Sequence, residues 1–137
     1  MTPPAGSIQA STPTAHAHAE TVKGMLISRD AADLPAPLAR RGPATVKVNL
    51  ETVEVTGDLA DGSTYHYWTF NRKVPGPFVR VRVGDTVEVN LKNAADSMMA
   101  HNVDFHAVTG PGGGASATVA APGEAKGFTF KELHPGL

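Results

Sequence analysis

From residue 45 onward, apolar and polar side chains alternate with the period of two that marks a half-buried β-strand. In Thr45-Val46-Lys47-Val48-Asn49-Leu50-Glu51-Thr52-Val53-Glu54-Val55, the residues Val46, Val48 and Leu50 share one face, and Lys47, Asn49 and Glu51 the other. Asp61-Gly62 is a turn signal, and it leads into the aromatic, strand-like run Thr64-Tyr65-His66-Tyr67-Trp68-Thr69-Phe70. Val74-Pro75-Gly76-Pro77 reads as a tight connection. Phe78-Val79-Arg80-Val81-Arg82-Val83 alternates strictly, Gly84-Asp85 turns, and Thr86-Val87-Glu88-Val89-Asn90-Leu91 alternates again, which predicts a hairpin. A polar loop over residues 93–97 precedes another predicted strand, residues 101–106. Gly110-Pro111-Gly112-Gly113-Gly114 interrupts the pattern, and Pro122-Gly123-Glu124 turns into a last strand-like run, Gly127-Phe128-Thr129-Phe130-Lys131. Helical periodicity is absent, and so is any internal repeat. Short strands separated by Gly/Pro turns predict an all-β, antiparallel sandwich or barrel.

The first 43 residues add little to that core. Residues 1–20 are rich in Ala, Thr, Ser, Pro and Gly, without the basic start and apolar stretch of an intact signal peptide. His16 and His18 read there as part of a solvated tail rather than as a surface metal site. Leu34-Pro35-Ala36-Pro37 and Arg40-Arg41-Gly42-Pro43 make residues 21–43 an extended connector, because proline fixes φ and removes backbone donors. The division is therefore a tail and connector over residues 1–43 and one domain over residues 44–137. A net charge of −1 with 18% charged residues gives no electrostatic case for nucleic acid or a membrane surface. No apolar run is long enough for a membrane span. With no cysteine among 137 residues, disulfides and thiolate ligands from this chain are excluded.

Chemistry concentrates in His101-Asn102-Val103-Asp104-Phe105-His106, two imidazoles and one carboxylate within six residues. On a strand, His101 and His106 have opposite parity and point to opposite faces, while Asp104 and His106 share one. That suggests two sites built back to back, one with a nitrogen ligand and one with a ligand beside an acid/base partner. Imidazole suits copper, zinc, iron and nickel, and a metal site wants three or four ligands. Each histidine would therefore need partners from elsewhere. His66, set among aromatics, reads as a core or edge residue, and His134 as part of a ragged end. On spacing alone, strand histidines are more often structural than ligating, and a lone aspartate is more often a surface carboxylate. The glycine loop lacks the Lys-Ser/Thr ending of a phosphate-binding loop, which argues against nucleotide binding.

Several segments together resemble one family. Tyr67-Trp68-Thr69-Phe70, Val74-Pro75-Gly76-Pro77, Val81-Arg82-Val83-Gly84-Asp85-Thr86-Val87-Glu88-Val89, His101-Asn102-Val103-Asp104-Phe105-His106-Ala107 and Thr109-Gly110-Pro111-Gly112-Gly113-Gly114-Ala115 are similar to the first cupredoxin domain of copper-containing, NO-forming nitrite reductases. The histidine segment with its glycine loop is the specific part; the Pro-Gly and Val-Gly-Asp-Thr elements are shared with multicopper oxidases. The resemblance implies a Greek-key cupredoxin β-sandwich. It makes His101 a ligand of the type 1, electron-transfer copper and His106 a ligand of the type 2 copper. Asp104 corresponds to the aspartate that hydrogen-bonds nitrite and helps deliver protons. It also implies a periplasmic homotrimer fed with electrons by a small redox protein, a cupredoxin or cytochrome c, and reducing nitrite to nitric oxide.

Two departures stand out. Met98-Met99-Ala100 replaces a proline that usually precedes the first histidine, and neither methionine is expected to be the axial copper ligand. The sequence also stops at Pro135-Gly136-Leu137, where the family continues into a Tyr-His-Cys strand and its ligand loop. The resemblance thus implies an N-terminal fragment, its sandwich incomplete at the C-terminus, marginally stable, prone to self-association and inactive alone. Two rivals remain: a multicopper oxidase or other cupredoxin-type electron-transfer module, and a non-catalytic copper-binding module. Oxidases commonly use a His-x-His pair, whereas here four residues, one an aspartate, separate the histidines.

Overall fold

The structure, a computed structural model, describes residues 20–21, 27–60, 62–108 and 111–136. The predicted tail with His16 and His18, Asp61 of the Asp-Gly turn, Thr109 and Gly110 of the glycine loop, and Leu137 lie outside the described residues. The strands among them are β1 (Glu20–Thr21), β2 (Thr45–Ala60), β3 (Ser63–Phe70), β4 (Thr86–Asn93) and β5 (Ala125–Lys131), all in one hydrogen-bonded sheet.

β2 organises the molecule because it serves two ladders. Its first half, residues 45–52, runs parallel to β4, from Thr45 opposite Thr86 to Thr52 opposite Asn93. Its second half runs antiparallel to β3, from Thr52 opposite Phe70 to Ala60 opposite Ser63. β5 closes the far edge of β4 in antiparallel register. The predicted alternation holds in the first half, where Val48 and Leu50 are buried and Lys47 and Asn49 are exposed. From Thr52 to Val55 every residue is buried instead, since β2 is there passing from one ladder to the other and is covered from both sides. Strands that change partners in this way make the corners of β-sandwiches.

The core gathers Val48 and Leu50 of β2, Val87, Val89 and Leu91 of β4, and Val103. Phe70, Val79, Val81, Phe105, Phe128 and Phe130 pack against it, partly buried. Each fully buried aliphatic side chain is worth about 1.5–3 kcal/mol. One side of this core stays open. A groove of about 930 Å³ is lined by Leu38, Phe78, Val81, Val87, Phe105 and Phe130 among others.

The hairpin predicted over residues 78–91 does not form. Residues 78–83 lack a ladder, because both edges of β4 are already occupied, by β2 and by β5. Their alternation instead turns Val79 and Val81 onto the core. The turn after them is built on Asp85. This buried carboxylate takes a bidentate pair from Arg41, at 2.6 and 2.7 Å, and the amides of Ala44 and Arg82, at 2.9 and 2.8 Å. The Arg41 bond, seconded by the Arg82 and Ala44 amides, outweighs burial and holds Asp85 well below the usual carboxylate range. The Arg82 guanidinium donates in turn to the carbonyls of Leu38 and Ala39, so the connector is tied to the domain. Further back, Ile27 is buried over Gly57, where a Cβ would collide with it, and Ser28 bridges to Val74.

Candidate functional site

The segment carrying both histidines is a strand only at its start. His101 exchanges backbone hydrogen bonds with Ala120, at 3.1 and 2.9 Å, and the chain then leaves the sheet. The strand predicted over residues 101–106 is therefore corrected to one bridge followed by irregular chain and a turn at His106. The backbone groups that a ladder would have used are satisfied otherwise. The Val103 amide donates to Thr118 Oγ1 at 3.0 Å, the Phe105 amide to the Gly113 carbonyl at 3.0 Å, and the Val108 amide to the Phe105 carbonyl at 3.0 Å. The side chains still alternate as strand parity expects, with Val103 buried, Phe105 packed on the core and Asp104 and His106 exposed together, but loop contacts rather than a ladder hold them so.

The His101 side chain is 9% exposed and lies edge-on to Trp68 of β3, with ring centroids 5.0 Å apart. Its Nε2 is 2.9 Å from Oε1 of Glu54. The same oxygen accepts the amides of Met98 and Met99, both at 3.1 Å, while Oε2 lies 3.0 Å from Nε2 of His66. Burial pushes the Glu54 carboxyl up, but the bonds from His66, His101 and the two amides together outweigh it and hold the group below its ordinary value. An ionised carboxylate only accepts hydrogen bonds, so His101 carries its proton on Nε2. Its Nδ1 makes no hydrogen bond among the described residues and is free to ligate.

Asp104 and His106 form the second cluster. The aspartate side chain is 43% exposed and the histidine 92%, with Oδ2 and Nε2 at 3.5 Å. Behind them the glycine loop folds as a short turn, Pro111–Gly114, in which Gly112, Gly113 and Gly114 all have positive φ. Gly113 is so close that a Cβ there would run into Oδ1 of Asp104 and the backbone of Phe105. The loop's role is therefore close approach to the aspartate. His66 sits on β3 with its side chain 30% exposed, and His134 is exposed at the end of the described residues.

Sequence reasoning missed Glu54. Its signal was present: positions 46, 48, 50, 52 and 54 share parity, so the glutamate stands in register with the buried face of β2. A carboxylate on a core face must find partners.

Imidazole nitrogens suit copper, and the described residues fit a contribution of one nitrogen to each of two ions. No group of three or more His, Cys, Asp or Glu able to hold a metal occurs among them, so each ion would draw its remaining ligands from elsewhere.

Comparison with known proteins bears on this directly. A family profile described as multicopper oxidase matches residues 51–132. A copper-containing nitrite reductase of Neisseria meningitidis serogroup B is 52% identical over 111 residues, which is 81% of this chain and 28% of the relative. Another, from Alcaligenes xylosoxydans xylosoxydans, is 40% identical over 120 residues, 80% of this chain and 36% of the relative. The structure of a copper nitrite reductase from Nitrosomonas europaea superposes with a TM-score of 0.59 at 45% identity, covering 67% of this chain and 32% of that one. A multicopper oxidase structure gives 0.52 at 25% identity, covering 64% and 31%. The chain thus spans 28–36% of the length of the two relatives, and its fold is the expected all-β, cupredoxin-like β-sandwich.

Proposed function

The chain belongs to the multicopper oxidase family, and on that premise we propose that it is the amino-terminal cupredoxin portion of a copper-containing nitrite reductase. Residues 44–137 form the cupredoxin part in this reading, preceded by the tail and connector of residues 1–43. One observation carries it: the segment from His101 to His106 presents an anchored, buried imidazole at one end and an exposed imidazole beside a carboxylate at the other. Electron transfer favours a ligand whose geometry barely changes, and His101 is held by Glu54, Trp68 and its bridge to Ala120. Substrate chemistry favours an accessible ligand with a proton donor in reach, and His106 and Asp104 meet that need.

Copper supplies the one-electron chemistry, with His101 as a ligand of a type 1 ion and His106 of a type 2 ion. Reduction of nitrite to nitric oxide and water consumes one electron and two protons. Asp104, when protonated, holds nitrite by a hydrogen bond and gives that proton to the oxygen that leaves as water, while the solvent to which its carboxyl is open supplies the second proton. His106, beside that carboxylate, would hold the copper ion that supplies the electron.

Trp68, edge-on to the buried ring of His101, is exposed, as are Met98 and Met99, whose amides share the Glu54 oxygen with that ring, and such exposed apolar side chains suit a small redox donor, a cupredoxin or cytochrome c. Among the described residues no helix is long and apolar enough to cross a membrane. A homotrimer in the periplasm completes the reading. A second reading, a multicopper oxidase, is favoured by the likeness to that structure, but at 25% identity against 45% for the nitrite reductase.

The test is nitrite turnover by the full-length protein. Asp104→Asn and His106→Ala are each expected to lose about 100-fold or more. If both variants keep full turnover, the assignment fails.

A further inference from the structure

Glu54 receives more than a turn would need. Anchoring residues 98–99 requires only their two amides, yet the carboxylate also takes His101 on one oxygen and His66 on the other. Its side chain is 3% exposed, and it reaches these donors from the middle of β2, opposite Trp68. Four donors from three parts of the chain leave it no room to rotate. The consequence falls on His101, because the nitrogen held by Glu54 is the one that a ligand at Nδ1 does not use. A metal-bound histidine commonly gives its other N–H to a carboxylate, which fixes the tautomer, aims the ring and enriches it in electron density.

We propose that Glu54 is the positioning residue of the copper centre to which His101 contributes: it keeps the proton on Nε2 and presents Nδ1 to the ion. This rests on the reading of His101 as a copper ligand. His66 is the brace on the other side of the carboxylate, and its Nδ1 contacts Thr56 Oγ1 at 3.5 Å. The arrangement spans β2, β3 and the approach to His101, so ring orientation is set by the fold before an ion arrives.

The experiment uses the full-length, copper-loaded protein and reads the reduction potential and the visible and EPR spectra of the type 1 ion. Glu54→Gln keeps the shape and removes the charge. An electron-poorer imidazole favours Cu(I), so a shift of about tenfold in the Cu(I)/Cu(II) balance is expected, a rise of about 59 mV. Glu54→Asp keeps the charge but sets it one methylene back, and a smaller rise is expected. Either variant, folded and with wild-type potential and spectra, overturns the proposal. His101→Ala separates the two levels. It should abolish the type 1 signals, and if it leaves them intact, the ligand assignment itself has failed rather than the role of Glu54.

Discussion

His101 and His106 belong to one six-residue segment and meet opposite surroundings. The first is 9% exposed, stacked edge-on against Trp68 and hydrogen-bonded through Nε2 to a buried glutamate. The second is 92% exposed and has Asp104 at 3.5 Å. A ring fixed on one nitrogen has lost its rotamer freedom during folding, so binding at the other nitrogen adds no ordering cost. A ring in solvent must be ordered when it binds, at a cost of about 0.5–1.5 kcal/mol. The same stretch of chain thus holds one imidazole ordered by its own fold and another that stays adaptable.

The sharpest way to break this comparison is stability. Glu54→Leu leaves two amides and two imidazoles without their buried acceptor, and a loss of about 3 kcal/mol is expected. His106→Ala removes an exposed side chain and should fall within about 0.5 kcal/mol of the parent. Urea denaturation with unchanged m-values would report both as shifts in midpoint. Equal destabilisation by the two variants would mean that the His101 end is no better anchored than the His106 end.

A smaller effect is expected where the exposed end is supported. Gly113 has φ of +48° and backs directly onto Asp104 and Phe105. Gly113→Ala combines left-handed strain with a collision, and about 2–3 kcal/mol is expected, together with lower nitrite turnover by the full-length protein as Asp104 is pushed aside. Gly112 makes the control, with φ of +70° but only the Ala115 Cβ near it, at 3.8 Å. Gly112→Ala should cost about 1–2 kcal/mol of strain and leave turnover close to the parent. If the two substitutions reduce turnover alike, the loop does not position the aspartate through Gly113.

The sequence made the all-β class, four of the strands and the chemistry-bearing segment legible, because alternation reports one-sided burial directly. Its failures have one cause. Alternation says which side chains face the core but not which backbone edge is free. Residues 78–83 have the right pattern and no edge to join, since β2 and β5 flank β4. Residues 102–106 satisfy their backbone through Thr118 and the glycine loop, contacts separated too far in sequence to be read from spacing. Proximity of Asp104 and His106 was anticipated from parity, yet it arises from a turn. Glu54 was hidden differently: its parity with Val48 and Leu50 was visible, but nothing local linked it to His66 or His101.

A further test comes from a carboxylate with the same architecture and no histidine. Asp85, like Glu54, is buried and gathers donors from separate segments, here Arg41, Ala44 and Arg82. Its acidity is strengthened mainly by Arg41, so the folded state binds a proton less readily than the unfolded state. The stability this contributes is complete above the ordinary aspartate value of about 4 and drains away as pH falls below it. Asp85→Asn should therefore be less stable than the parent at neutral pH, with the gap narrowing below about pH 4. Acid titration of the urea midpoint measures this, and a gap that stays constant to pH 3 would show that the charge on Asp85 contributes nothing. The same variant should leave the type 1 potential unchanged. If it moved that potential as far as Glu54→Gln does, convergence of donors on any buried carboxylate would be enough, and the direct bond from Glu54 to His101 would lose its special standing.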